Sequence, residues 1–287
     1  LTTRRQRQMC IRDSPNNIER AEIIFGSSSV GYGSDAMGGV IHYYTKNPVL
    51  KNSEKISSSF TTNFNSANNS VSNNFNTSLS SDNWGSITSI SISKYGDIKM
   101  GKNRNHGFSD WGLNPIYSKN SRYSYYSEPS INSDNNIQRN TGYSQVDLFQ
   151  KFLVNLGDSS LLNLNIQFSE SSDIDRFDQL SIPKDNSLKY SEWYYGPQKR
   201  LLISPSLRVF PNKKFMDKGV ITFGFQKINE SRIKRKFNSL NRSHQIEDLK
   251  VFSLNGDFDT SFNNGHTVSY GIETVSYTHL TLPTSSQ

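Results

Sequence analysis

The chain has 287 residues, of which 33% are hydrophobic and 12% aromatic, and a formal net charge of +7. No apolar run approaches the roughly 18 residues of a membrane-spanning helix, and a single cysteine, Cys10, excludes an internal disulfide framework. Disordered chains are poor in aromatics, so this composition points instead to strands that show one face to an apolar phase and the other to water.

Both ends carry the same DNA read in opposite senses. Val275–Thr284, VSYTHLTLPT, can be written GTC TCT TAT ACA CAT CTG ACG CTG CCG ACG. Its reverse complement translates as RRQRQMCIRD, which is Arg4–Asp13 without a mismatch. The DNA resembles a transposase adapter of sequencing libraries, so residues 1–13 and 275–287 are expected to be adapter-derived, with protein from Ser14 to Thr274. Cys10 then drops out, and Arg4, Arg5, Arg7 and Arg12 less Asp13 account for +3 of the +7, leaving +4. That balance is too mild to argue for a nucleic-acid partner.

The first elements lie in Ile18–Lys46, where the apolar runs Ala21–Phe25 and Val40–Tyr44 read as buried strands. Between them Gly26, Gly31, Gly33, Gly38 and Gly39 fall within fourteen residues, a backbone that must turn tightly and approach something closely. The spacing is not that of a phosphate-binding loop, and Ala36 stands where GxGxxG needs its third glycine.

Asn47-Pro48 ends this unit and Val49–Ser53 links it to a series of alternating strands. These are expected at Lys55–Asn65, Ser70–Ser80, Trp84–Tyr95, Tyr143–Val154, Leu161–Glu170, Arg200–Phe210, Gly219–Glu230, Leu249–Phe262 and from His266 onward. Leu162, Leu164, Ile166 and Phe168 alternating with Asn163, Asn165 and Gln167 give the cleanest case. Pro205 requires a bulge or a missing ladder bond in the sixth strand. The connections alternate in length, with long segments at Gly96–Thr141 and Ser171–Lys199 and a medium loop at Ser231–Asp248. Short turns at one end and long loops at the other are what a membrane β-barrel requires.

Ile18, Glu19, Arg20, Glu22, Gly26, Ser29, Tyr32, Gly33, Ala36, Gly38, Gly39, Val40, Ile41, Thr45 and Lys46 sit in one frame over 29 residues. In that frame the stretch resembles the end of the plug domain of TonB-dependent outer-membrane receptors. Phe25, Ser27 and His42 depart from the family pattern, where Arg, Pro and Asn stand, but no glycine of the turn is lost. The resemblance implies an all-β fold: plug strands at residues 14–48, then at 49–274 the first nine or so strands of a large antiparallel transmembrane barrel left unclosed. About 22 strands close barrels of the plugged class.

The resemblance further implies an outer-membrane location in a Gram-negative bacterium and contact with outer-membrane lipid. It implies import of an iron-bearing chelate, siderophore or haem, with energy from the TonB complex. A ligand- or host-protein-binding barrel without coupled import and a glycan importer remain alternatives. Gly26, Tyr32, Gly33, Gly38 and Gly39 would shape the plug turn, and Arg20 and Glu22 would lock plug to barrel. In the first long loop Trp111, Tyr123, Tyr125 and Tyr126 lie among Lys119, Arg122 and His106, and aromatic and cationic groups together suit a flat anionic ligand. His106 is the candidate haem ligand. Glu192–Arg200, EWYYGPQKR, is similar to haem- or haemoglobin-type receptors and adds Tyr194, Tyr195 and Arg200 as ligand contacts. Belt or loop packing explains the same aromatics equally well. No Ser–His–Asp or metal-hydrolase spacing occurs, so no enzymatic activity, metal or cofactor is expected. Amplification of the source locus is expected to give a reading frame without the terminal RRQRQMCIRD and VSYTHLTLPT codons; their presence in genomic DNA contradicts the adapter reading.

Overall fold

The computed structural model describes residues 15–26, 37–51, 55–105, 107–211, 216–262 and 265–286. A 3-10 turn at Pro15–Asn17 leads into β1 (Ile18–Phe25), which pairs antiparallel with β2 (Gly39–Thr45) from Ile18↔Thr45 to Phe25↔Gly39. Gly26 has φ +90° and Gly39 φ +150°, and a Cβ on Gly39 would meet the Ile24 carbonyl oxygen at 2.7 Å. These two positions therefore need glycine. Tyr32 and Gly33, expected in the same turn, lie outside the described residues.

The following strands are β3 (Lys55–Asn65), β4 (Ser70–Ser80) and β5 (Trp84–Tyr95). The first long connection holds the two-residue strands β6 (Ile98–Lys99), β7 (Ile116–Tyr117), β8 (Ser130–Ile131) and β9 (Ile137–Gln138). Next come β10 (Tyr143–Asn155), β11 (Ser160–Ser171), β12 (Ile174–Asp175), a single helical turn α1 (Phe177–Leu180), β13 (Pro183–Lys184), β14 (Ser187–Leu188) and β15 (Tyr190–Tyr195). The chain ends with β16 (Lys199–Val209), β17 (Lys218–Lys236), β18 (Arg242–Ser261) and β19 (Thr267–Ser286).

The nine long strands form one antiparallel meander, β3-β4-β5-β10-β11-β16-β17-β18-β19, each beside its successor. The chain is thus all-β, part of a barrel with two open edges. Cross-strand register separates two faces. On one, Phe60↔Phe75↔Ile90↔Leu148↔Phe168↔Leu201 forms a continuous apolar row, and Phe60, Phe75, Ile90 and Leu148 are exposed there. Polar residues on this apolar face satisfy one another across strands: Thr88 Oγ1 donates to Gln150 Oε1 at 2.5 Å, Gln150 Nε2 to Ser86 Oγ at 2.8 Å, and Thr62 Oγ1 to Asn73 Oδ1 at 2.9 Å. The opposite, polar face carries Ser89, Ser91, Asn74, Asp147 and Lys151, all buried.

The largest departure from the expected boundaries lies between β17 and β18. Residues 231–248, expected as a loop, are mostly strand: β17 runs on to Lys236 and β18 begins at Arg242, so the loop shrinks to residues 237–241. Pairing is continuous from Lys218↔Asp259 to Arg235↔Arg242. At Pro205 the ladder with β17 lapses between Ile203↔Phe225 and Ser206↔Thr222 with register kept, so the missing N–H costs a bond and makes no bulge. Gly39→Ala is expected to loosen the β1–β2 pair by about 1–3 kcal/mol, read as faster amide exchange in both strands. Gly38→Ala, whose added methyl meets nothing within 4 Å, is expected to leave exchange unchanged.

Candidate ligand-binding site

Above the end of β16, β15 takes over as the partner of β17, with Tyr195↔Arg232, Tyr194↔Ile233, Trp193↔Lys234 and Glu192↔Arg235. The pairing β12–β15, Ile174↔Tyr195 and Asp175↔Tyr194, widens this extension. Successive strand residues point to opposite faces, so Glu192 and Tyr194 share the side of Ile233 and Arg235, while Trp193 and Tyr195 share that of Arg232 and Lys234. Alternation along β17 puts Ile233 and Arg235 on the apolar face of Phe223 and Phe225, and Arg232 on the polar face of Gln226 and Ile228.

The apolar-face side is closed. Glu192, its side chain 1% exposed, accepts from Arg242 Nε and Nη2 at 2.7 Å each and from Arg235 Nη2 at 3.2 Å. The first long loop packs over it: Ser118 Oγ donates to the Ser191 carbonyl at 2.7 Å, Ser118 N–H to the Leu180 carbonyl at 3.1 Å, and the Tyr125 ring lies 5.2 Å from the Arg235 guanidinium. Arg122 bridges to Asp173 at 3.0 Å and approaches the Tyr194 ring at 6.0 Å. A cavity of about 440 Å³ remains here, lined by Asn120, Arg122, Asp173, Asp175, Glu192 and Tyr194 among others. Burial first, then the neighbouring charges of Asp173, Glu192 and Asp97, pushes the Asp175 carboxyl up to about 7.

The loop owes its order to asparagine amides, which supply a donor and an acceptor where no ladder exists. Asn132 donates to the Asn114 and Ile137 carbonyls at 3.0 and 2.9 Å and accepts from Arg139 Nε at 3.0 Å. Asn120 exchanges hydrogen bonds with the backbone of Tyr126 at 3.0 and 2.6 Å.

The polar-face side is open chemistry. Trp193 and Tyr195 meet edge to face with centroids 5.3 Å apart. Arg176 lies 4.9 Å from the Trp193 ring and 5.7 Å from that of Tyr195, and Arg232 lies 5.8 and 5.5 Å from the same two rings. Arg176 is neutralised by Asp178, with Nε–Oδ1 at 2.7 Å and Nη2–Oδ2 at 2.6 Å, and donates to Tyr195 Oη at 2.9 Å. The Arg176 guanidinium in turn holds the Asp178 carboxyl below its usual range. Arg232 pairs with no carboxylate among the described residues, and its Nε is buried without a hydrogen-bond partner. A guanidinium beside two ring faces and without a carboxylate partner keeps its charge available to an anion.

The expected site residues do not converge. Tyr195 is in the polar-face cluster, whereas Tyr194, 7% exposed, is packed on the other side of the same strand. Trp111 and Tyr123 stand exposed on the first loop, Tyr125 covers Arg235, and Tyr126 lies 5.6 Å from Lys119 Nζ. Arg200 is buried on the polar face of β16, opposite Ser169 and Ile228. His106 lies outside the described residues. Arg20 and Glu22 bridge to each other at 2.9 Å, with Arg20 3.7 Å over the Tyr44 ring. Trp193, Arg176 and Arg232 were missed. The β12–β15 pairing brings Arg176 to Trp193 and Tyr195, and the register Tyr195↔Arg232 brings Arg232, which needs residues 231–236 to be strand.

No protein-family model and no curated protein matches the chain. Among solved structures it is similar to a ferric enterobactin receptor, PfeA, in complex with BCV-L6, with TM-score 0.61, 16% identity, 91% of this chain and 36% of that chain covered. A double mutant of PfeA from Pseudomonas aeruginosa gives TM-score 0.60, 16% identity and the same 91% and 36% coverage. A single mutant of the Pseudomonas aeruginosa receptor in complex with enterobactin gives TM-score 0.51, 13% identity, and 94% and 47% coverage. The chain spans roughly a third to a half of these receptors' length. It shares the fold of part of these ferric enterobactin receptors. Between pH about 4 and about 7 folded Asp175 keeps a proton that the unfolded chain has released, so the cap of residues 173–195 is expected to weaken as pH rises through that window. Amide exchange of those residues, corrected for intrinsic rates, should be faster at pH 8 than at pH 5, and the difference should vanish in Asp175→Asn.

Proposed function

We propose that the chain is the plug end and first nine barrel strands of an outer-membrane receptor that imports an anionic iron chelate with energy from the TonB complex. The observation that carries this reading is the Trp193–Tyr195–Arg232 cluster, on the polar face and beyond the apolar rows, where a plugged barrel admits its ligand. The apolar face then meets lipid. Its internally bonded Thr88, Gln150 and Ser86 fit a phase with no water to satisfy them. The polar face, which reaches the segment after β2 through Lys151, lines the lumen. The plug resemblance of Ile18–Lys46 and the fold shared with siderophore receptors support energy-coupled import over simple adhesion. An outer-membrane location in a Gram-negative bacterium follows from the same reading.

The test is ligand binding to the full-length receptor. Arg232→Met is expected to weaken binding of a ferric catecholate by about tenfold to a hundredfold, the loss of one charge-assisted contact. Arg208→Met, an exposed cation at the opposite end of the wall, should change it less than about twofold. Haemin in place of the catecholate decides between the two iron-bearing classes. Binding of neither, or equal loss in both variants, contradicts the proposal.

A further inference from the structure

The segment leaving β2 is docked on the wall at three points. Lys151 of β10, 5% exposed, donates from Nζ to Asn47 Oδ1 at 2.7 Å and Thr45 Oγ1 at 2.8 Å, and reaches the Lys46 and Thr45 carbonyls at 3.2 and 3.4 Å. No carboxylate shares this ammonium among the described residues. Its Nζ lies 5.8 Å from the centroid of the Phe149 ring. Further on, a Cβ at Gly85 of β5 would meet Pro48 Cβ at 3.0 Å and the Val49 carbonyl at 3.2 Å, so the segment lies directly against the β5 backbone. Last, Lys51 N–H donates to the Ser81 carbonyl in the turn between β4 and β5, at 3.0 Å. At the other side Lys46 N–H donates to the Asn17 carbonyl at 2.9 Å, which ties the same strap to the start of β1.

A flexible tether would leave its carbonyls to water. Here a buried cation is held by four oxygens of the tether itself, and removing it would strand those acceptors. We infer that Lys151 moors residues 45–51 to the β5–β10 wall as a fixed strap, so that the end of the plug nearest the barrel stays in place while the rest of the plug moves or unfolds. This rests on the reading of residues 45–51 as the joint between plug and barrel. Movement of the plug must then begin upstream of β1, and the Lys151 contact sets the resistance at its downstream end. Lys151 is a positioning residue: it touches no ligand and acts through the strap.

The experiment uses the full-length receptor in planar bilayers, with urea drawing the plug out of the barrel and conductance reporting the open lumen. Lys151→Met is expected to open the lumen at lower urea than wild type while the melting of the barrel itself is unchanged. Asn47→Ala, which removes one acceptor only, should shift it in the same direction by less. In the same proteins, exchange at the Lys46 and Lys51 amides should rise by about tenfold or more in Lys151→Met, and Lys151→Arg should restore part of the protection. Unchanged opening and exchange in Lys151→Met overturns the mooring, as does a parallel fall in barrel melting, which marks a purely structural lysine. If wild type itself shows no urea-dependent opening, the plug-and-barrel reading fails and the strap with it.

Discussion

Inside a hydrocarbon layer a backbone N–H or C=O has no water to bond, so each must find its partner in a neighbouring strand. The meander from β3 to β19 obeys that constraint strand by strand, with every long strand laddered to its successor. Most other features of the molecule follow from it. Side chains alternate between two phases because the ladder fixes their direction. Hydroxyl and amide groups that fall on the apolar face bond laterally, as Thr88, Gln150 and Ser86 do. Pro205 is tolerated because its missing donor leaves only a local lapse beside β17.

Where the wall rises past the apolar rows, the constraint relaxes and the two faces acquire different work. One side of β15 is sealed by Glu192, Arg235 and Arg242 beneath the first long loop, and there one buried carboxylate is shared by two guanidiniums. The other side holds Arg176 and Arg232 against Trp193 and Tyr195, and among the described residues only Arg176 has a carboxylate there. A guanidinium already bound to an acid offers little to an incoming anion, whereas Arg232 offers its whole charge, sharpened by the ring faces around it. A single strand thus separates the Glu192 cluster from the Arg176–Arg232 cluster by alternation alone.

The sequence was legible where alternation had a physical cause. β3, β4 and β5 were readable to the residue, because an apolar and a polar face demand opposite side chains at successive positions. The same reasoning failed at residues 231–248. Ser231, Arg232, Lys234, Arg235 and Lys236 are polar on both faces, since Arg235 pairs with the buried Glu192 on one face while Arg232 and Lys234 lie on the other, and the periodic signal disappears while the strand continues. The pairing of Tyr195 with Arg232 was hidden for that reason. From sequence Tyr194 and Tyr195 are adjacent in a long connection, and strand geometry sends them to opposite faces. Asn120 and Asn132 order the first long loop by side-chain hydrogen bonds, which carry no period to detect. Gly39 at the start of β2 was readable because only a residue without Cβ fits beside the Ile24 carbonyl.

The central claim is that the two sheet faces meet two different phases. Single cysteines placed in the full-length receptor test it directly, at Ile90, Leu148 and Phe168 on one face and at Asn165, Gln226 and Arg232 on the other. In native membranes the first set should react with a lipid-soluble maleimide and resist a charged one. The second set should react with the charged reagent once the plug is displaced. Labelling of Leu148 and Asn165 by the same reagent at the same rate would contradict the account, because neighbouring strands would then have no lipid side and no lumen side.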